Sequence, residues 1–126
     1  MFPQITFIPF ENLYLNKLYA IIEPHLLNPE LSVSKLTRLI GMSRTDLHRK
    51  IKLMSGMSTT QFIRFMRLKK AVKLILENPQ FNISQVAYKV GFCDQSYFTK
   101  CFHEVFGITP NLFRQGTTNQ KLLLEE

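Results

Sequence analysis

Apolar positions recur at helical spacing along most of the chain. Leu15, Leu18, Tyr19, Ile22 and Leu26 predict a helix from about residue 11 to 27. Pro24 interrupts or kinks its last turn, and Asn28-Pro29 marks its stop. Ser32 is a natural cap for a second helix, whose apolar stripe is Val33, Leu36, Leu39 and Ile40. Gly41 follows, where a helix end often needs a left-handed residue. Ser43 caps the next helix, and Asp46 suits the positive end of its dipole. That helix ends near Ser55-Gly56. Ser58 and Gln61 form a capping box that opens a long helix, to about residue 78. Phe62, Phe65, Met66, Ala71, Val72, Ile75 and Leu76 supply its apolar face, and Pro79 ends it.

The pattern then repeats. Asn82, with Gln85 three residues on, opens a short helix in which Val86 and Val90 match Leu36 and Ile40. Gly91 matches Gly41, Asp94 caps the next helix, and Gly107 matches Gly56. Thr109-Pro110 is a cap followed by proline, which starts a short last helix over about 110–115. Residues 31–56 and 81–107 thus each read as helix, glycine turn, helix, which is the layout of a helix-turn-helix. The expected fold is all-α, with two such lobes joined by the 58–78 linker helix, about seven helices in a domain spanning 11–116. Residues 1–10, with Pro3 and Pro9, read as an upstream linker or the start of an expressed fragment. Residues 117–126 read as a frayed tail.

Each second helix has two faces. In the first repeat Leu47, Ile51 and Met54 form the core stripe. Thr45, His48, Arg49 and Lys52 share another side at i, i+3, i+4 and i+7. In the second, Phe98, Cys101, Phe102 and Val105 face the core, and Ser96, Thr99, Lys100 and His103 share the other side. One extra residue in the second turn brings the two polar sets into register. Arg49 and Lys100 then occupy equivalent positions and suit guanine O6 and N7. Gln95 suits adenine, while Thr45, Ser96 and Thr99 are short enough for the groove floor, and His48 shares their face. Arg44, Lys52 and His103 are assigned to phosphates, as are Ser34 and Ser84 at the starts of the first helices. The linker helix spans ~30 Å, close to the ~34 Å turn of B-DNA. That length suits two heads in successive major grooves.

Charge strengthens this picture. The chain of 126 residues carries a formal net charge of +7. Residues 31–77 hold eleven Lys or Arg against two acids, a net of +9. The field therefore sits on the first repeat and the linker helix, as a polyanion partner requires. Hydrophobic content of 45% supports a folded core. Cys93 and Cys101 lack zinc-site spacing and read as small apolar fillers in a reducing compartment. No metal site or cofactor is expected. His25, His48 and His103 are scattered, and no Gly-x-Ser-x-Gly or phosphate-loop pattern occurs, so an enzyme is not expected. No apolar run approaches the ~20 residues of a membrane span, and no signal peptide is evident, so the expected location is the cytoplasm. A protein-interaction module would not need the same polar face twice. Non-specific DNA packaging would predict a steep salt dependence with little sequence choice.

The segment from Ile83 to Pro110 carries a Gly-Phe turn, a Tyr-Phe pair and a Gly-x-Thr-Pro close. It resembles the second helix-turn-helix of AraC/XylS-type transcription regulators. Arg67 to Leu76 is similar to that family's linker helix, and the resemblance covers Leu31 to Arg114, about two-thirds of the chain. It implies seven helices in two lobes with both reading helices in the major groove. It also implies base-reading roles for Thr45, His48, Arg49, Gln95, Ser96, Thr99 and Lys100. Some family members carry a large aromatic where Thr45 stands, so base contacts there do not transfer. Met42 to Lys52 is similar to output domains at the C-terminus of hybrid two-component sensors. That likeness implies upstream sensor or receiver domains. The AraC/XylS resemblance implies an activating role and contact with RNA polymerase, and two reading heads on one chain already supply two half-sites, so the isolated domain is expected to be monomeric.

Overall fold

The computed structural model describes residues 13–116. The expected linker at 1–10, the tail at 117–126 and the side chain of Leu15 lie outside the described residues. Six helices have defined bounds: α1 Leu13–Ile22, α2 Val33–Ile40, α3 Arg44–Ser55, α4 Thr59–Glu77, α5 Ile83–Lys89 and α6 Gln95–Phe106. A seventh, α7, covers 110–116. The described residues contain no strand, so the all-α expectation holds. The chain divides into two lobes, and the break falls inside α4 between Arg67 and Leu68.

Local chemistry sets the helix ends. Pro24 lacks the donor that continued α-helix needs, and α1 tightens into a 3-10 turn over Glu23–His25. The side chains of Ser32 and Ser43 accept bonds from the backbone N–H groups of Lys35 and Asp46. Ser58 and Gln61 exchange both bonds of a capping box, at 3.2 and 3.0 Å. Asn82 and Gln85 do the same, both at 2.8 Å. Each satisfied cap is worth ~1 kcal/mol, because the first N–H groups of a helix have no other partner.

In the first lobe Leu18, Ile22, Leu36, Leu47, Ile51 and Phe62 are fully buried or nearly so. Tyr19 meets Phe62 edge to face at 5.6 Å, and burial raises its phenol pKa above the ordinary value. Arg67 is half-buried and donates to the carbonyls of Leu26 and Asn28, at 2.9 and 2.8 Å. It thereby ties α4 to the loop before α2. The second lobe closes around Leu68, Ala71, Ile75, Val86, Phe98 and Phe102. Rings run from Phe92 through Phe98 and Phe102 to Phe113, at centroid distances of 5.2, 5.8 and 6.0 Å. Burying each large apolar side chain contributes roughly 1.5–3 kcal/mol before entropy is charged against it.

Three apolar expectations differ from the structure. Leu39 is 44% exposed, because α2 has only two turns and Leu36 occupies the centre of its buried side. Leu76 is 41% exposed, one step round the helix from the buried Ile75. Cys93 is exposed in the turn before Asp94, while Cys101 is buried as a filler.

Candidate nucleic-acid interface

Each lobe carries one helix pair of the candidate interface, α2–α3 in the first and α5–α6 in the second. The first turn closes when the N–H groups of Gly41 and Met42 both donate to the Thr37 carbonyl, at 2.9 and 3.2 Å. Gly41 stands at φ 76, which favours glycine, although no atom would crowd a side chain there. In the second turn Phe92 donates to the Ala87 carbonyl at 3.0 Å, the same bond fifty residues later. The helices that follow are matched. Both α3 and α6 have twelve residues, a side-chain cap (Ser43, Asp94) and a left-handed glycine at the end (Gly56, Gly107). Every residue of α3 therefore has an α6 counterpart 51 positions on.

That register places Thr45, His48, Arg49 and Lys52 on one face of α3, all exposed, with Leu47 and Ile51 buried behind them. On α6, Ser96, Lys100 and His103 are exposed and Thr99 is half-buried, with Phe98 and Phe102 behind. Gln95 is exposed at the first turn of α6. Thr99 presents only part of its surface, so its reach is shorter than that of its neighbours.

The residues assigned to phosphate separate into different settings. Arg44 and Ser34 come together: the guanidinium Nη2 donates to the Ser34 hydroxyl at 3.1 Å. The pair holds an arginine beside the first turn of α2, where backbone N–H groups favour anions. The equivalents in the second lobe are Gln95 and the half-buried Ser84, which lack a cation. Lys52 donates from Nζ to the Gly56 carbonyl at 3.0 Å and caps the negative end of α3. His103 lies in the last turn of α6 and is exposed.

Sequence reasoning missed three surface features of α3. Asp46 suits the start of the helix, and its carboxylate also lies 3.9 Å from Arg49 Nη1. Both side chains are more than half exposed (57% and 67%), so rearranging the pair costs less than ~1 kcal/mol. Lys50 is exposed outside the face shared by Thr45, His48, Arg49 and Lys52, and Leu53 is 80% exposed in the last turn. The i, i+3 spacing of Asp46 and Arg49 was the available signal for the first. For Leu53 no signal was available, since exposure of a lone leucine has no sequence pattern. Elsewhere Lys89 is drawn over the Phe81 ring at 4.6 Å. Among the described residues no group of three His, Cys, Asp or Glu is placed to hold a metal, and no helix is long and apolar enough to cross a membrane.

Two helix-turn-helix units with paired exposed polar faces define a nucleic-acid-binding domain. The comparisons agree. A family described as "Helix-turn-helix domain" matches residues 36–116. A relative named histidine kinase P4, from Formosa agariphila, is 36% identical over 117 residues, covering 93% of this chain and 8% of that protein. The HTH-type transcriptional activator RhaS of Shigella boydii is 30% identical over 102 residues, covering 81% of this chain and 36% of that protein. The chain thus spans well under half the length of both. The C-terminal domain of the two-component response regulator yesN, from Fusobacterium nucleatum, superposes with a TM-score of 0.71 at 26% identity, covering 80% of this chain and 97% of that domain. The chain belongs to the AraC-type helix-turn-helix family of DNA-binding transcription regulators.

Proposed function

We propose that the chain, over residues 11–116, is the DNA-reading output domain of a larger transcription activator. In this reading α3 and α6 enter successive major grooves of one duplex. Arg49 and Lys100 donate to guanine O6 and N7, Gln95 bridges an adenine, and Thr45, His48, Ser96 and Thr99 lie along the neighbouring base edges. The Arg44–Ser34 pair holds a phosphate, and Lys52, Ser84 and His103 flank the backbone. The observation that carries this reading is the matched pair α3 and α6: equal length, equal capping register and the same polar face opposite a buried one.

The two helices divide the work. α3 carries Arg44, Arg49, Lys50 and Lys52 against Asp46, whereas α6 carries Lys100 against Glu104. The first lobe supplies most of the salt-sensitive affinity, and the second tunes sequence choice. The likenesses to a histidine kinase and to a response-regulator output domain support a place downstream of sensor or receiver domains. The protein works in the cytoplasm, contacts RNA polymerase, and this segment is monomeric on its own because one chain already carries two reading helices. Selection of bound duplexes from a random library at near-physiological salt tests the reading. Two short boxes about one helical turn (~10.5 base pairs) apart are expected. Binding without enrichment of any sequence contradicts it.

A further inference from the structure

Asp46 is out of place for a helix whose affinity rests on positive charge. It is the sole acid between Glu30 and Glu77, and it stands in the first turn of α3, the turn nearest the bases in the proposed docking. A carboxylate there repels phosphates. It also faces a specific neighbour, Arg49, one turn along the same face, with Oδ1 3.9 Å from Nη1. The equivalent positions on α6 are Tyr97 and Lys100, a neutral residue and a cation. The acid–arginine couple therefore belongs to the first reading helix alone.

Resting on the assignment of α3 to DNA, we propose that Asp46 is a positioning residue that makes Arg49 selective for guanine. Its carboxylate takes Nη1 of the guanidinium, leaving Nη2 and Nε to meet O6 and N7. An exposed arginine with no such partner swings readily to the nearest phosphate, which gives affinity without sequence information. Asp46 opposes that swing twice, by holding one edge of the guanidinium and by repelling the phosphate it would reach. Water leaves the groove on docking, so the couple is stronger in the complex than on the free helix. A residue that merely favours the positive start of α3 would stabilise the helix and do nothing to base choice.

The test is a double-mutant cycle on the full 126-residue chain. Affinities of the parent, Asp46→Asn, Arg49→Ala and the double variant are measured on the selected duplex and on one with the guanine opposite Arg49 replaced. Asp46→Ala serves as a second variant, and unfolding midpoints check that each remains folded. Asp46→Asn is expected to tighten binding to the substituted duplex and to reduce discrimination about three- to fivefold. It is expected to have no effect on discrimination once Arg49 is alanine. Equal tightening on both duplexes overturns the proposal and leaves Asp46 as a simple charge. Loss of discrimination that persists without Arg49 overturns it too, since Asp46 then acts through something else. If the parent itself does not discriminate, the DNA-reading assignment of α3 fails first and the proposal falls with it.

Discussion

Replacing Phe102 by alanine tests how closely the second reading helix depends on one buried ring. Phe102 is wholly buried, with ring neighbours Phe106 at 4.7 Å, Phe98 at 5.8 Å and Phe113 at 6.0 Å. Its removal empties the space between α6 and α7 and removes all three of these ring contacts. A buried Phe→Ala change costs ~3–5 kcal/mol, from lost transfer energy and the cavity left behind. At ~0.05–0.15 kcal/mol per residue, the roughly fifty described residues from Leu68 onward hold only ~2.5–7 kcal/mol of net stability. The loss matches most of the total. Residue-resolved hydrogen exchange should show amides of α5 and α6 losing protection while those of α2 and α3 keep it. The thermal midpoint of the second lobe should fall by at least ~12 °C. A shift of only a few degrees, with α6 still protected, would mean the ring is not what seats the helix.

Three further outcomes follow from the same contacts. Arg49→Ala should weaken binding to the preferred duplex by ~1–3 kcal/mol and relax choice at one base position, read by anisotropy titration on single-base variants. An equal loss on every duplex would make Arg49 a phosphate contact instead. Arg67→Met removes both bonds to the Leu26 and Asn28 carbonyls. With a discount for the exposed second bond, it should destabilise the first lobe by ~1.5–3 kcal/mol in urea unfolding, and a change within experimental error would count against the tether. Asn82→Ala breaks one half of the α5 capping box and should cost ~1 kcal/mol, so an unchanged unfolding midpoint would show the cap to be redundant.

Helix ends were the most legible part of the fold. Ser32, Ser43, Ser58, Asn82 and Asp94 all cap as their short polar side chains suggest, because capping is settled within three residues of sequence. The faces of α3 and α6 were legible for the same reason, since helical geometry fixes which residues share a side. What could not be read depends on distant partners. Nothing in the sequence sets Arg67 apart from the other cations of α4, yet it bonds to main-chain carbonyls about forty residues away, and carbonyls leave no mark in a sequence. Leu39 and Leu76 fit their apolar stripes but lack neighbours wide enough to cover them. Lys52 shares a face with Thr45, His48 and Arg49, and its partner in the structure is Gly56, four residues on. Its Nζ donates to the carbonyl of that left-handed glycine, just past the end of α3, a local contact that the face pattern does not announce.

Guanine N7 lies in the major groove alone, so methylation interference at that atom tests most directly whether both helices read bases there. On a duplex recovered by selection, methylation should block binding at one guanine in each of two boxes about one helical turn apart. Arg49→Ala should erase the interference in one box and Lys100→Ala in the other. Binding that tolerates methylation at every guanine N7 would contradict major-groove contact by Arg49 and Lys100.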